Sequence, residues 1–405
     1  MKLAALSALA LVAAVARPTV AAPAPIKTDG DLPADLAIDA DGGVLRSGSV
    51  EVELGELFDD EPDDPSECEP QFSGARYDRA KHTLLIAEPH CAGGDKAIPR
   101  ARVIAALARA RGWAAEVRGD LAEAQRQLAA ALAAAPSERL ALDLALVQLA
   151  LGDRAGAAAT MRPYLGKAAI EHYAAFVANP ALAPLLDEPP LASLRASAPG
   201  KARVTGLDAP LVAYSAAHDR FAVLREAPIG DTCASEGSRD KRDVEVAIVD
   251  RGGRVTARLS LLPPRWADTA WIYRDLRDDA DEIAGRIATA NRFLRDLGFD
   301  PITGAEISRF TLNARRSTVA RFPVAKLGLA ERDGTVRLLR GNQIVGDHAL
   351  YRCPRDHFSC EYPPALLWAA WLPAQHVVLI AWESSGAEHS DRDAGLDVWE
   401  LPSAP

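Results

Sequence analysis

Positive charge is the scarcer sign in this chain. Its 405 residues hold 46 Lys and Arg against 56 Asp and Glu, a formal net charge of −10. Nucleic-acid binding rests on cations that neutralise phosphate, so that class of partner is disfavoured. The same deficit removes the basis for attraction to an anionic lipid surface. Long apolar runs are scarce too. The strongest covers residues 3–16, and 14 residues fall short of the about 20 that span a bilayer. No membrane span is expected once that segment is removed. Cysteine is sparse and odd in number, with five residues at 68, 91, 233, 353 and 360, so they cannot all pair within one chain. There is no P-loop, no His-Glu-x-x-His pair, no Gly-x-Ser-x-Gly elbow and no Cys-x-x-Cys. The reading leans against an enzyme, with no catalytic residue, cofactor or metal site assigned.

What is present begins at the N-terminus. Lys2 supplies a short positive region, residues 3–16 an apolar one, and Val20, Ala21 and Ala22 a signal peptidase site before Pro23. Residues 1–22 therefore read as a signal peptide, and the protein as periplasmic or secreted. Losing the segment's two cations, Lys2 and Arg17, takes the net charge from −10 to −12. Disulfides are the default in that oxidising compartment. Cys353 and Cys360 enclose six residues and are the favoured pair, with Cys68 and Cys91 next and Cys233 left over. Residues 23–99 read as a flexible leader followed by a small β segment. Strand character lies at 49–58 and 82–87, separated by an acidic, proline-rich run at 59–69.

Helical periodicity starts near Arg100. Val103, Leu107, Ala110, Ala114 and Val117 follow a 3-4-3-4 spacing, which is one face of a helix. Gly119 and Asp120 interrupt it. Leu121, Ala124, Leu128, Ala131 and Ala135 form the next face, ended by Pro136. The pattern recurs with Leu140, Leu144, Val147 and Leu151, a break at Gly152 and Asp153, and a further helix to about Leu165. The stretches at 119–136 and 152–165 resemble the tetratricopeptide repeat. Gly112, Gly119, Asp120, Ala124, Leu128, Ala131 and Pro136 carry the resemblance in the first unit. Ala145, Gly152, Asp153 and Ala157 carry it in the second, and the two Gly-Asp turns lie 33 residues apart. The resemblance implies helical hairpins stacked into a curved surface that holds a peptide or protein partner. Residues 168–196 read as a cap, so the helical domain is taken as 100–196.

Beyond a linker at 197–202 the period changes to two. Strands are expected at 210–215, 220–225, 244–250, 254–261, 320–325, 335–340, 366–372, 376–383 and 396–401. One helix interrupts them, with Ile283, Ile287, Ala290, Leu294 and Leu297 on a shared face. Residues 203–405 thus read as a mainly antiparallel β-rich domain. The expected fold class is α+β multidomain, tetratricopeptide-like hairpins followed by that domain. Residues 211–250 and 366–401 look like two copies of strand, turn, strand, polar loop, strand.

Few residues suggest chemistry. Cys353, His357 and Cys360 have the spacing of a zinc half-site but lack a fourth ligand, and a disulfide is the stronger reading. Asp391, Asp393 and Asp397 do not match an EF-hand loop. Glu383 and Asp397 raise a glycosidase pair whose separation sequence cannot supply. Trp368, Trp371, Trp382 and Trp399 cluster near the end, and Trp368 and Trp382 could share one face. The expected function is non-enzymatic docking of an envelope protein or peptide on the helical repeats. An enzyme or carbohydrate-binding site in the β-rich domain is the alternative.

Overall fold

A computed structural model of the chain describes residues 24–27, 31–39, 43–57, 74–87, 96–228, 242–263, 279–312, 318–332, 335–341, 343–349, 365–384 and 393–401. Residues 1–22, expected as a signal peptide, and all five cysteines lie outside these residues, as do the acidic run at 59–69, His357 and Asp391. The chain divides into two compact units after Met161.

In the first unit, β1 (Ala24–Pro25), β2 (Ala37–Asp39), β3 (Val44–Ser47) and β4 (Val50–Glu53) form an antiparallel meander, and β5 (Gly74–Asp78), β6 (Thr83–Ala87) and β7 (Lys96–Pro99) form a second. Leu36 and Leu45, within the stretch expected as leader and the start of the β segment, are completely buried. Lone apolar residues spaced among Asp and Gly read as solvated in sequence, yet Leu45 points inward from β3 and Leu36 is buried just ahead of β2. Four helices follow: α1 (Arg100–Val117), α2 (Leu121–Ala134), α3 (Glu138–Ala150) and α4 (Arg154–Leu165). Their bounds follow the expected periodicity closely.

The tetratricopeptide-like fold class does not survive. A repeat helix gives one face to its hairpin partner and another to the next repeat, whereas α1 packs on β4, β6 and β7 as well as on α2. Val103 and Leu107 of α1 belong to one core with Leu45, Val52, Leu84 and Ile98 of the strands and with Leu36 just ahead of β2. Among the described residues there are five small antiparallel sheets, with helices concentrated in the first half of the chain and no such repeat evident.

The misleading signal was helix punctuation. Gly119 and Gly152 hold φ of +78° and +82°, the left-handed geometry that ends a helix without Cβ strain. Asp120 and Asp153 donate their backbone N–H back to Ala115 and Gln148. Their carboxylates then accept from the N–H of Glu123 (3.1 Å) and Gly156 (2.8 Å), capping the next helix. Any tight helical hairpin uses this pairing of stop and cap. Ala124, Leu128, Ala131, Ala145 and Ala157 are fully buried. Gly112 lets α1 approach α2, since a Cβ there would lie 2.8 Å from Leu128 Cγ. Pro136 follows Ala135, the C-cap of α2, and precedes Ser137, which caps α3.

The second unit opens with α5 (Ala169–Ala178) and α6 (Pro189–Ala192). Tyr173 of α5 is fully buried and donates its hydroxyl to Asp296 at 3.2 Å, fastening α5 to α7 (Ala280–Asp296). One sheet runs β11-β10-β9-β8-β12, from β8 (Val212–Ser215), β9 (Arg220–Pro228), β10 (Arg242–Val249), β11 (Val255–Ser260) and β12 (Asp300–Pro301). A second has β13 (Glu306–Arg309) beside β19 (Ala365–Leu372), β20 (Val377–Ser384) and β21 (Asp393–Glu400). A third runs in chain order through β14 (Thr311–Leu312), β15 (Thr318–Phe322), β16 (Leu327–Arg332), β17 (Thr335–Arg340) and β18 (Gln343–Ala349).

The β19–β21 sheet lies between the other two. Val377, Leu379 and Ala381 pack with Phe221, Val223 and Ala247 of the β8–β12 sheet. The alternate residues Val378, Ile380 and Trp382 pack with Phe322, Leu329 and Val336 of the β14–β18 sheet. The expected internal duplication has a structural counterpart, because β8-β9-β10 and β19-β20-β21 are both antiparallel meanders of consecutive strands. Their hairpins share a four-residue turn whose last residue is left-handed, Asp219 at φ +53° and His376 at φ +54°. The β5–β6 and β15–β16 hairpins turn in the same way at His82 and Lys326.

Candidate ligand-binding cleft

A cavity of about 320 Å³ opens in the second unit, where the β8–β12 and β19–β21 sheets part. One wall comes from residues 207–212 and from Leu224, Arg225 and Glu226 of β9. The other comes from Ile307, Arg309, Leu367, Trp368, Ala381, Trp382 and Gly395.

Each wall is fixed from behind. The segment ahead of β8 is clamped to α7 by Asn291, whose amide accepts from Val204 N–H at 2.7 Å and donates to Val204 C=O at 3.0 Å. Leu207 then packs with Val244, Leu262, Ile283 and Ile287. Leu224 N–H bonds to Leu211 C=O at 3.1 Å, which holds the end of the segment against β9. On the opposite wall the β19–β20 register shifts between Leu366 and Trp368, a β-bulge. Bulges re-aim side chains. This one brings both Leu367 and Trp368 against the core shared with the β8–β12 sheet. Trp368 and Trp382 therefore do not share a face, because Trp382 packs on the β14–β18 side. Strict alternation across β19 cannot reveal that change.

The deep end of the cleft is charged but self-compensated. Arg225 and Glu245 face each other across β9 and β10, with side chains 3% and 4% exposed. Nε and Nη2 of Arg225 both lie 2.8 Å from Glu245 Oε1. The pair was not anticipated, because its residues lie twenty apart and become opposite only through the strand register. Two residues before Glu245 on β10 is Asp243, whose Oδ1 has no hydrogen-bond partner. Burial, opposed by hydrogen bonding from Ser260 and reinforced by the charge of Glu245, raises its pKa to about 6.

Rim and floor differ in chemistry. Asp208, Glu226 and Arg309 are exposed, while Leu211, Val212, Ala381 and Trp382 are buried. The described lining has no hydroxyl, thiol, imidazole or amine side chain, so nothing there pairs a nucleophile with a base.

The other sequence-derived sites are accounted for elsewhere. Asp397 accepts from Trp382 Nε1 at 3.3 Å and contacts His348 Nε2 at 3.2 Å, and the His348 ring stacks on Trp399. These contacts occupy Asp397, and the side chains of Glu383 and Asp393 lie outside the described residues. Among the described residues no group of three or more His, Cys, Asp or Glu could hold a metal ion. Trp382 and Trp399 are buried, whereas Trp368 and Trp371 are half-buried. The repeat-motif residues from Gly112 to Ala157 serve helix packing and capping in the first unit.

The chain matches no protein-family model, no curated protein and no solved structure.

Proposed function

We propose that this is an exported, non-enzymatic binding protein whose ligand site is the cleft of the second unit. The cleft itself carries the reading. It combines a mostly apolar lining, a half-buried tryptophan and a charged rim, the usual make-up of a small-molecule site. The self-compensated Arg225–Glu245 pair adds rigidity at the deep end without presenting a reactive group. Docking on a helical groove is withdrawn together with the repeat on which it depended. Export is supported by Lys2, the apolar run at 3–16 and the small residues at 20–22.

Trp368→Ala tests the cleft. Fragments found by ligand-observed NMR to bind the wild-type protein are expected to bind this variant at least about ten-fold more weakly, since a stacked aromatic wall is lost. Equal binding to both proteins would remove the cleft from consideration.

A further inference from the structure

The cleft's charges constrain what fits inside it. Arg225 is matched by Glu245 within the wall, so that pair presents no net charge to a ligand. At the rim the position differs. Asp208 projects from the segment ahead of β8, and Arg309 from β13 on the opposite sheet. Among the described residues neither side chain has an ion-pair or hydrogen-bond partner. They do not pair with each other, although both line the same cavity. The third rim charge, Glu226, has an interaction of its own, so Asp208 and Arg309 are the opposite charges left to a ligand across the apolar lining.

Arg309 also has a neighbour of consequence. Its register partner on β19 is Trp368. Directly opposed residues on paired strands stand about 5 Å apart at Cβ, so a guanidinium and an aromatic face serve one part of the cleft. A guanidinium fork fits a carboxylate, and an indole face fits an apolar or aromatic group. Asp208 on the facing wall offers an acceptor to an ammonium group. A volume of about 320 Å³ lies at the small end of ligand sites, which run from about 300 to 1,000 Å³.

We infer that the cleft takes a small zwitterion with an apolar side chain: a free apolar or aromatic amino acid, or a dipeptide built from such residues. This rests on the cleft being the ligand site. Arg309 holds the carboxylate, Asp208 the ammonium, and Trp368 with Leu211 and Leu367 the side chain between them. An anion alone would leave Asp208 unpaired beside it, and a cation alone would leave Arg309 unpaired. Each single-charge ligand therefore binds less well than the zwitterion.

Calorimetry on the full chain tests this with leucine, phenylalanine and the dipeptide Phe-Leu. The controls are N-acetyl-phenylalanine, which lacks the cation, phenylalanine amide, which lacks the anion, and the neutral probe N-phenyl-1-naphthylamine. Phenylalanine is expected to bind at least about ten-fold more tightly than either single-charge analogue. Arg309→Gln should weaken phenylalanine by a similar factor and leave the amide unchanged. Asp208→Asn should weaken phenylalanine and leave the acetylated form unchanged. Both residues are exposed, and unaltered melting temperatures would show that both variants fold. If the analogues bind as tightly as phenylalanine, or the two variants bind it like wild type, the zwitterion assignment is wrong. If only the neutral probe binds and Trp368→Ala abolishes it, the ligand class falls and the cleft stands. If no member of the set shows binding sensitive to Trp368→Ala, both fall together.

Discussion

Asp243 shows how one half-buried carboxylate couples stability to pH. Burial lifts its pKa from an ordinary 3.8 to about 6. The folded chain therefore holds this proton more tightly than the unfolded chain does. Its contribution favours folding at low pH, declines as pH rises from about 4 to about 6, and is a constant penalty above that. Asp243→Asn removes the charge. At pH 7.5 the variant is expected to be more stable than wild type by about 1–3 kcal/mol, and at pH 4 the gain should vanish. Urea melts at the two pH values measure this, and an equal effect at both would show that the charge is not the cause. Sequence offered no hint of Asp243, because a carboxylate two residues before Glu245 reads as ordinary strand polarity until the sheet closes over it.

At the scale of elements, adjacent strands are matched in shape. Trp382 on β20 is the register partner of Gly395 on β21, and a Cβ at 395 would collide with the indole. Glycine at this point lets the ring lie across the neighbouring strand and reach Asp397. Gly395→Ala is expected to displace Trp382, cost about 1–3 kcal/mol and alter the tryptophan emission. A thermal melt with unchanged midpoint and emission would contradict that packing. At the opposite end of β9 from the cleft, Arg251 joins the β8–β12 sheet to β21. It bonds Asp219 at 2.7 Å and Glu400 at 2.8 Å. The Tyr214 hydroxyl, followed by Arg251, holds the Asp219 carboxyl below its usual range. Helix ends were legible because their signals are local, as Gly119 with Asp120 and Gly152 with Asp153 show. The same locality misled the assignment of a repeat, since caps report where helices stop and say nothing of what they pack against.

For the whole molecule, export makes a prediction about the N-terminus. Cleavage after Ala22 leaves Pro23 first and keeps β1 intact, with Ala24 paired to Ile38 and Ile26 buried. Protein recovered from the envelope should have an intact mass lacking residues 1–22, and recovery at full mass would count against the signal peptide.

Sequence by itself determined the properties that repeat or cap within a few residues. These were the helices from α1 to α4 and α7, the switch to period two in the second half, and the strand-turn-strand order of β8–β10 and of β19–β21. Each depends on a chain's contact with its own near neighbours. Only the tertiary structure decided that α1 closes on strands, that a bulge turns Trp368 away from the face of Trp382, and that Arg225 meets Glu245. It also decided that Asp208 and Arg309 line one cavity although they lie 101 positions apart in the chain. Strand register and sheet stacking set those meetings, and both are settled by burying many side chains at once rather than by any local pattern.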